Sequence, residues 1–147
     1  MDAGKIAKVA AVAKSAEQRS AREFKTSQQS HQQKCDQLEQ LQQFKREYES
    51  RLEMMGEQGI ASRQLQDYRR FLGKLNQAID QQAVEIDCSS QSLHASRENW
   101  LAESRRSSAL EQVVDQQNLK RRQAQLKAEQ KESDEMSSAR SSGPEKT

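Results

Sequence analysis

Apolar side chains recur along this chain at the spacing of a helix that pairs with another helix. Leu65, Leu72, Ile79, Ile86, Leu93 and Trp100 stand seven residues apart, and the same phase runs on through Ser107 to Val114. Tyr68, Leu75 and Leu110 occupy the second apolar position of that repeat. A strict seven-residue repeat keeps one stripe against a partner only if the helices supercoil left-handedly. In the first part of the chain the stripe is thinner. Leu38, Leu41, Tyr48, Leu52 and Met55 alternate three and four apart, with Lys45 interrupting, and Ile6, Val9, Ala13, Ala16 and Phe24 carry the stripe toward the N-terminus. The small residues there let a bulky partner approach closely.

Between the two stripes lies the stretch from Met55 to Ser62, which holds two of the five glycines, Gly56 and Gly59. No proline precedes Pro144, so nothing else forces a turn. Gly56 is suited to a left-handed C-cap, and the Ser62 hydroxyl to capping the next helix. The expected fold is all-α: an antiparallel two-helix coiled-coil hairpin, a long rod ending in a disordered C-terminal tail. Its parts are a helix over 3–56, a turn over 57–61, a helix over 62–134 and a Ser/Glu/Gly/Pro tail over 135–147. Folding back near residue 58 pairs Trp100 with the neighbourhood of Ala16, Leu93 with Phe24 and Leu110 with Ile6. About 50 residues per paired helix give a rod roughly 80 Å long. Past residue 116 the second helix has no partner left in its own chain.

Composition narrows the class. Of 147 residues, 33% are hydrophobic and 4% aromatic, too few for a globular core of ordinary thickness, while 31% are charged. No apolar run reaches the length of a membrane span. The short patch from Val9 to Ala13, broken up by lysines, is too short for a signal peptide. A cytoplasmic protein is expected. The net charge of +2 conceals a polarity. Residues 2–25 carry six basic and three acidic side chains, and the overhang carries Lys120, Arg121, Arg122, Lys127 and Lys131 against Glu129. Residues 36–57 carry six acids and three bases. A rod with one basic and one acidic end is suited to being held by an end.

Catalytic chemistry finds no home in this pattern. Cys35 and Cys88 lie about seven residues out of register, roughly 10 Å apart along the axis, too far for a disulfide. Both thiols are expected to be free. His31 and Cys35 share a helical face, but Cys88 and His94 do not, and no cluster stands opposite to complete a metal site. The carboxylates sit on a narrow rod without a cavity to shift their pKa values. No enzyme, cofactor or metal is expected.

A binding surface fares better. In an antiparallel hairpin the g edge of one helix lies beside the g edge of the other. With Leu38 and Leu72 at a positions, Gln37 and Phe44 are g on the first helix, and Phe71 and Ala78 are g on the second. The two phenylalanines therefore meet on one side, flanked by Leu41, Tyr48, Leu75 and Gln82. The opposite edge, with Gln42, Glu49, Arg69 and Asn76, is polar. The rings either offer a partner an apolar face or lie over the seam and broaden a thin core.

Glu47-Tyr48 before the turn, Gly59-Ile60-Ala61-Ser62 at it, and Tyr68, Phe71, Leu75, Ala78 and Ile79 after it resemble the FliJ proteins of the bacterial flagellar type III export apparatus. The close match covers roughly residues 37–82, and the rest agrees in pattern. The resemblance implies a coiled coil similar to the stalk subunit of rotary ATPases, coupling a hexameric export ATPase to a membrane export-gate protein (FlhA-like) through its cytoplasmic part, and interacting with export chaperones. It implies a cytoplasmic protein peripherally associated with the inner-membrane export apparatus and serving motility. The family's gate-binding face maps onto Gln37, Leu41, Phe44, Tyr48, Phe71, Leu75, Ala78 and Gln82. Phe44 stands where a tyrosine is usual and Gln82 where a histidine is, which changes the hydrogen bonding at those points. The basic termini, with Lys5, Lys8, Lys14, Lys120, Arg121 and Arg122, are the expected ATPase-docking groups. One alternative is the analogous stalk of a virulence secretion system. Another is a nucleic-acid binder using the stretch from Lys120 to Lys131, which has no stacking or base-reading groups.

Overall fold

The computed structural model describes residues 2–141. It is an antiparallel two-helix coiled-coil hairpin, with α1 over Ala3–Gln58 and α2 over Ser62–Ser141. The Asp2 carbonyl accepts the amides of Lys5 and Ile6, both at 3.1 Å, and starts α1. Residues rich in Ala, Gln, Leu, Lys and Glu then propagate the helix with no proline to interrupt it. The expected end at residue 56 is two residues short. Gly56 lies inside α1, and it is Gly59 that takes a positive φ of 87° and reverses the chain. The next helix begins with the Leu65 amide donating to the Ala61 carbonyl at 3.1 Å, so Ala61 rather than Ser62 stands at the N-cap. At the far end α2 continues to Ser141, beyond the expected boundary at 134. Of the expected disordered tail, residues 135–141 are helical, and 142–147 lie outside the described residues.

The chain divides into two compact units. One is made of residues 18–101 and contains the turn. Its seam residues recur in the expected heptads, with Leu38, Leu41, Tyr48 and Leu52 on α1 and Leu65, Tyr68, Leu72, Leu75, Ile79, Ile86 and Leu93 on α2, all half-buried or buried. A pair of helices has a core only one side chain wide, so most seam residues keep one flank in water. Among its apolar residues Leu75 is the best covered, at 7% exposed. Met55, placed on the stripe by spacing, is 38% exposed at the end of α1.

The register differs from a fold-back at 58. His31 and Ser89 hydrogen-bond across the seam at 2.6 Å, and residues 31 and 89 stand equally far from Ile60. Moving the centre by two residues shifts facing pairs by about one helical turn. Side-chain lean adds to this shift, because helical side chains tilt toward the N-terminus of their own helix. Trp100 therefore leans toward the turn and Phe24 away from it. Their rings stack with centroids 5.7 Å apart and planes 3° from parallel. Trp100 thus faces Phe24 and not Ala16, and Leu93 does not hold the place opposite Phe24.

The second unit pairs residues up to Glu17 with residues from Ala102 onward. Ile6 and Ala13 are buried on α1, and Ser107, at 1% exposed, is buried on α2. Val9, expected on this stripe, is exposed. Ala7 and Ala10 share a groove with Glu111, Val114 and Asp115, and Lys14 reaches Glu111 at 3.9 Å, so Leu110 does not face Ile6. Lys14 also pairs with Glu17 at 3.2 Å. The hydrogen bond from Lys14 is the main reason the Glu17 carboxyl titrates below its ordinary value, although burial opposes it. The Ser107 and Ser104 hydroxyls act in the same direction as Lys14, even though Ser107 Oγ makes no bond of full hydrogen-bonding geometry. From residue 118 to 141 every described position on α2 is exposed, which matches the expected loss of a partner past 116.

Two stability predictions follow from these contacts. Gly59→Val forces a branched side chain into the left-handed region and should cost about 1 kcal/mol or more in thermal or urea melts followed by circular dichroism. No Cβ clash contributes, since nothing lies within 4 Å of that position, so the loss reports backbone strain alone. Glu17 has its pKa lowered by folding, so its stabilising contribution is present above the ordinary value of 4.5 and is lost as pH falls through the lowered one. The gap in melting temperature between wild type and Glu17→Gln should therefore be widest near neutral pH and close as pH drops below 4.5.

Candidate functional site

The unit that contains the turn carries a cluster of four aromatic rings next to it. Tyr48 and Tyr68 sit on the seam with centroids 4.9 Å apart. Phe71 packs against Tyr48 at 4.5 Å, and Phe44 meets Phe71 edge-on at 6.1 Å and Tyr48 at 6.3 Å. The heptad positions dictate this arrangement. The tyrosines occupy seam positions and the phenylalanines the g positions beside them, so the four rings spread from the core out onto one edge.

That edge is open to solvent. Phe44 is 47% and Phe71 38% exposed despite their mutual contact. Beneath them Leu75 is buried and Leu41 and Tyr48 are half-buried, while Gln37 and Ala78 are exposed. Burial pushes the Tyr48 phenol above its ordinary value, and the neighbouring Tyr68 adds to the shift. Gln82 ties the cluster to α1. Its Nε2 donates to the Lys34 carbonyl at 2.9 Å and to Gln37 Oε1 at 3.2 Å. Gln37, Gln40, Leu41, Phe44 and Gln82 line a shallow groove with more apolar than polar lining. A second groove, on the far side of Phe44, is acidic and runs along Asp36, Glu39, Gln43 and Glu47. The opposite edge bears Gln42, Glu49, Arg69 and Asn76, all exposed and polar.

The eight residues singled out on the g-edge side, Gln37, Leu41, Phe44, Tyr48, Phe71, Leu75, Ala78 and Gln82, thus lie on or directly under one edge of one unit. Spacing had placed Tyr68 on the seam without assigning it to this surface. Its contact with Tyr48 makes it the floor of the cluster, and its position one turn before Phe71 was the available signal. Gln40, which lines the groove, carried no signal beyond its place on the same helical face.

The basic groups Lys5, Lys8, Lys14, Lys120, Arg121 and Arg122 all belong to the other unit and are all exposed. Lys14 is engaged by Glu17 and Glu111, so it is less available than the others to an outside anion. Among the described residues no group of three or more metal-ligating side chains comes together, and no helix is long and apolar enough to cross a membrane.

Patch and core separate by mutation. Leu75→Ala removes the best-buried leucine of this unit and should cost about 2–5 kcal/mol in a denaturant melt. Phe44→Ala and Phe71→Ala, whose rings already keep much of their surface in water, should cost clearly less. Equal losses for all three would make the phenylalanines core.

The family profile described as "Flagellar FliJ protein" matches residues 2–146, nearly the full length of the chain. No individual curated protein and no solved structure matches it. A match of that extent decides the family. The chain belongs to the FliJ family and is a component of flagellar type III protein export.

Proposed function

We propose that this protein is a non-enzymatic coupling stalk of flagellar export, which links the hexameric export ATPase to the cytoplasmic part of the membrane export gate. The observation that carries this reading is the exposed aromatic edge. Two phenylalanines, 47% and 38% exposed, pack edge-on against each other and form a contiguous aromatic patch beside exposed glutamines and carboxylates, and such patches mark partner sites. The gate-binding surface is Gln37, Leu41, Phe44, Tyr48, Phe71, Leu75, Ala78 and Gln82. Phe44 and Phe71 supply the buried contact area, and Gln37 and Gln82 the directional hydrogen bonds. Where the family uses a tyrosine and a histidine, Phe44 and Gln82 leave one hydroxyl and one titratable group fewer at the contact.

The basic unit is the ATPase end. Lys5, Lys8, Lys120, Arg121 and Arg122, with a lesser share from the ion-paired Lys14, offer long-range attraction to an acidic ring opening. Export chaperones are further partners. The protein works on the cytoplasmic side, peripherally at the inner membrane.

Two measurements test this. Phe44→Ala and Phe71→Ala should abolish binding to the purified cytoplasmic part of the gate protein and stop motility, while the folded fraction stays near wild type. Normal gate affinity in both variants would remove the aromatic edge from the interface. Charge reversal at Lys120, Arg121 and Arg122 should weaken ATPase binding most strongly at low salt and leave helix content unchanged, because those residues lie in the exposed part of α2. Unaltered affinity at low salt would place docking elsewhere.

A further inference from the structure

On the side of the seam away from the phenylalanines, a chain of polar contacts joins three residues that the coupling function does not use. His31 Nδ1 on α1 lies 2.6 Å from Ser89 Oγ on α2. The Ser89 hydroxyl donates to the Ile86 carbonyl at 3.0 Å, so its oxygen is left to accept, and the hydrogen bond across the seam requires the imidazole hydrogen on Nδ1. That tautomer leaves Nε2 as a lone-pair acceptor. Facing Nε2 at 3.6 Å is Cys35 Sγ, one turn along the same helix, within reach for its thiol to donate.

We infer that Cys35 is a base-assisted nucleophilic thiol, a modification site for small soft electrophiles. The arrangement is that of an activated nucleophile: a thiol, a base within hydrogen-bonding reach, and a third group that fixes the base. Ser89 is 8% exposed, so the group that orients His31 is held inside the helix pair. Cys35 is half-buried, so part of the residue is in contact with solvent. With an alkyl halide the sulfur forms a bond to carbon as the carbon–halogen bond breaks. The thiol proton passes to His31 Nε2 and the halide leaves with the bonding pair, giving a thioether, an imidazolium and a halide ion. The imidazolium then releases its proton to water.

Cys88 is the internal comparison. It is exposed and makes no hydrogen bond among the described residues. Exposure alone ranks Cys88 as the faster thiol, whereas base assistance ranks Cys35 first. The experiment is timed labelling of the full-length protein with limiting iodoacetamide at neutral pH, each site read by peptide mass spectrometry. Cys35 should be carbamidomethylated several-fold faster than Cys88, and His31→Gln should bring Cys35 below Cys88 without altering the Cys88 rate. In concentrated urea the preference should vanish, because the imidazole is no longer held against the sulfur. A faster Cys88 in the wild-type protein, an unchanged Cys35 rate in His31→Gln, or a preference that survives urea each overturns the assignment. The wild-type ratio and the urea arm decide the matter even if the variant loosens the helix pair.

Discussion

A core one side chain wide is the constraint on which everything else here depends. Two helices can cover each seam residue from one direction only, so burial per residue is small and the stripe must run along most of the paired length. Among the described residues Ile6, Ala13 and Leu75 are the best-covered large or small apolar side chains, and each still keeps a few per cent of its surface in water. The rest of the stability is spread over many half-covered contacts, and helix continuity holds them in phase. This explains the absence of proline between Ala3 and Gln58 and the restriction of the reversal to Gly59, where a positive φ is tolerated without strain.

The same narrow seam accommodates polar residues. Ser20, Ser89 and Ser107 are buried in it, His31 and Gln82 bond across it, and Glu103 holds one carboxylate oxygen buried without a hydrogen bond. Such groups cost stability relative to leucine. They also specify register, since the His31–Ser89 and Gln82–Lys34 bonds form at one axial offset and are lost if the helices slide by a heptad. Small buried residues let the backbones approach, and where α1 offers Phe24 the seam widens into a stack with Trp100.

The aromatic edge is a consequence of the same geometry. Near the turn the seam gains Tyr48 and Tyr68, and the g positions on both helices carry phenylalanine. Rings at g cannot enter a core that is already full, so they lean on its flank and keep much of their surface in water. The side chains that would thicken the core thereby become the surface offered to a partner. At the other unit the exposed stretch of α2 carries its basic side chains with only the scattered apolar residues Leu119, Leu126 and Met136 among them. The two surfaces therefore suit partners of different chemistry.

The repeat in the sequence determined the helices, the phase of the stripe on each and the meeting of Phe44 with Phe71, because a period fixes which face of a helix points inward. It also determined the end of pairing near residue 117, by simple exhaustion of α1. A period does not fix axial slide, since moving one helix by seven residues restores the same pattern of faces. Tertiary structure therefore decided that Gly59 and not Gly56 carries the turn, that the fold-back centres on Ile60, and that Trp100 meets Phe24 instead of Ala16. Side-chain lean, opposite in direction on two antiparallel helices, could not be read without knowing the slide. The His31–Ser89–Cys35 chain is of the same kind: its spacing of four on α1 was legible, but the residue that orients it comes from α2 at a height only the register sets.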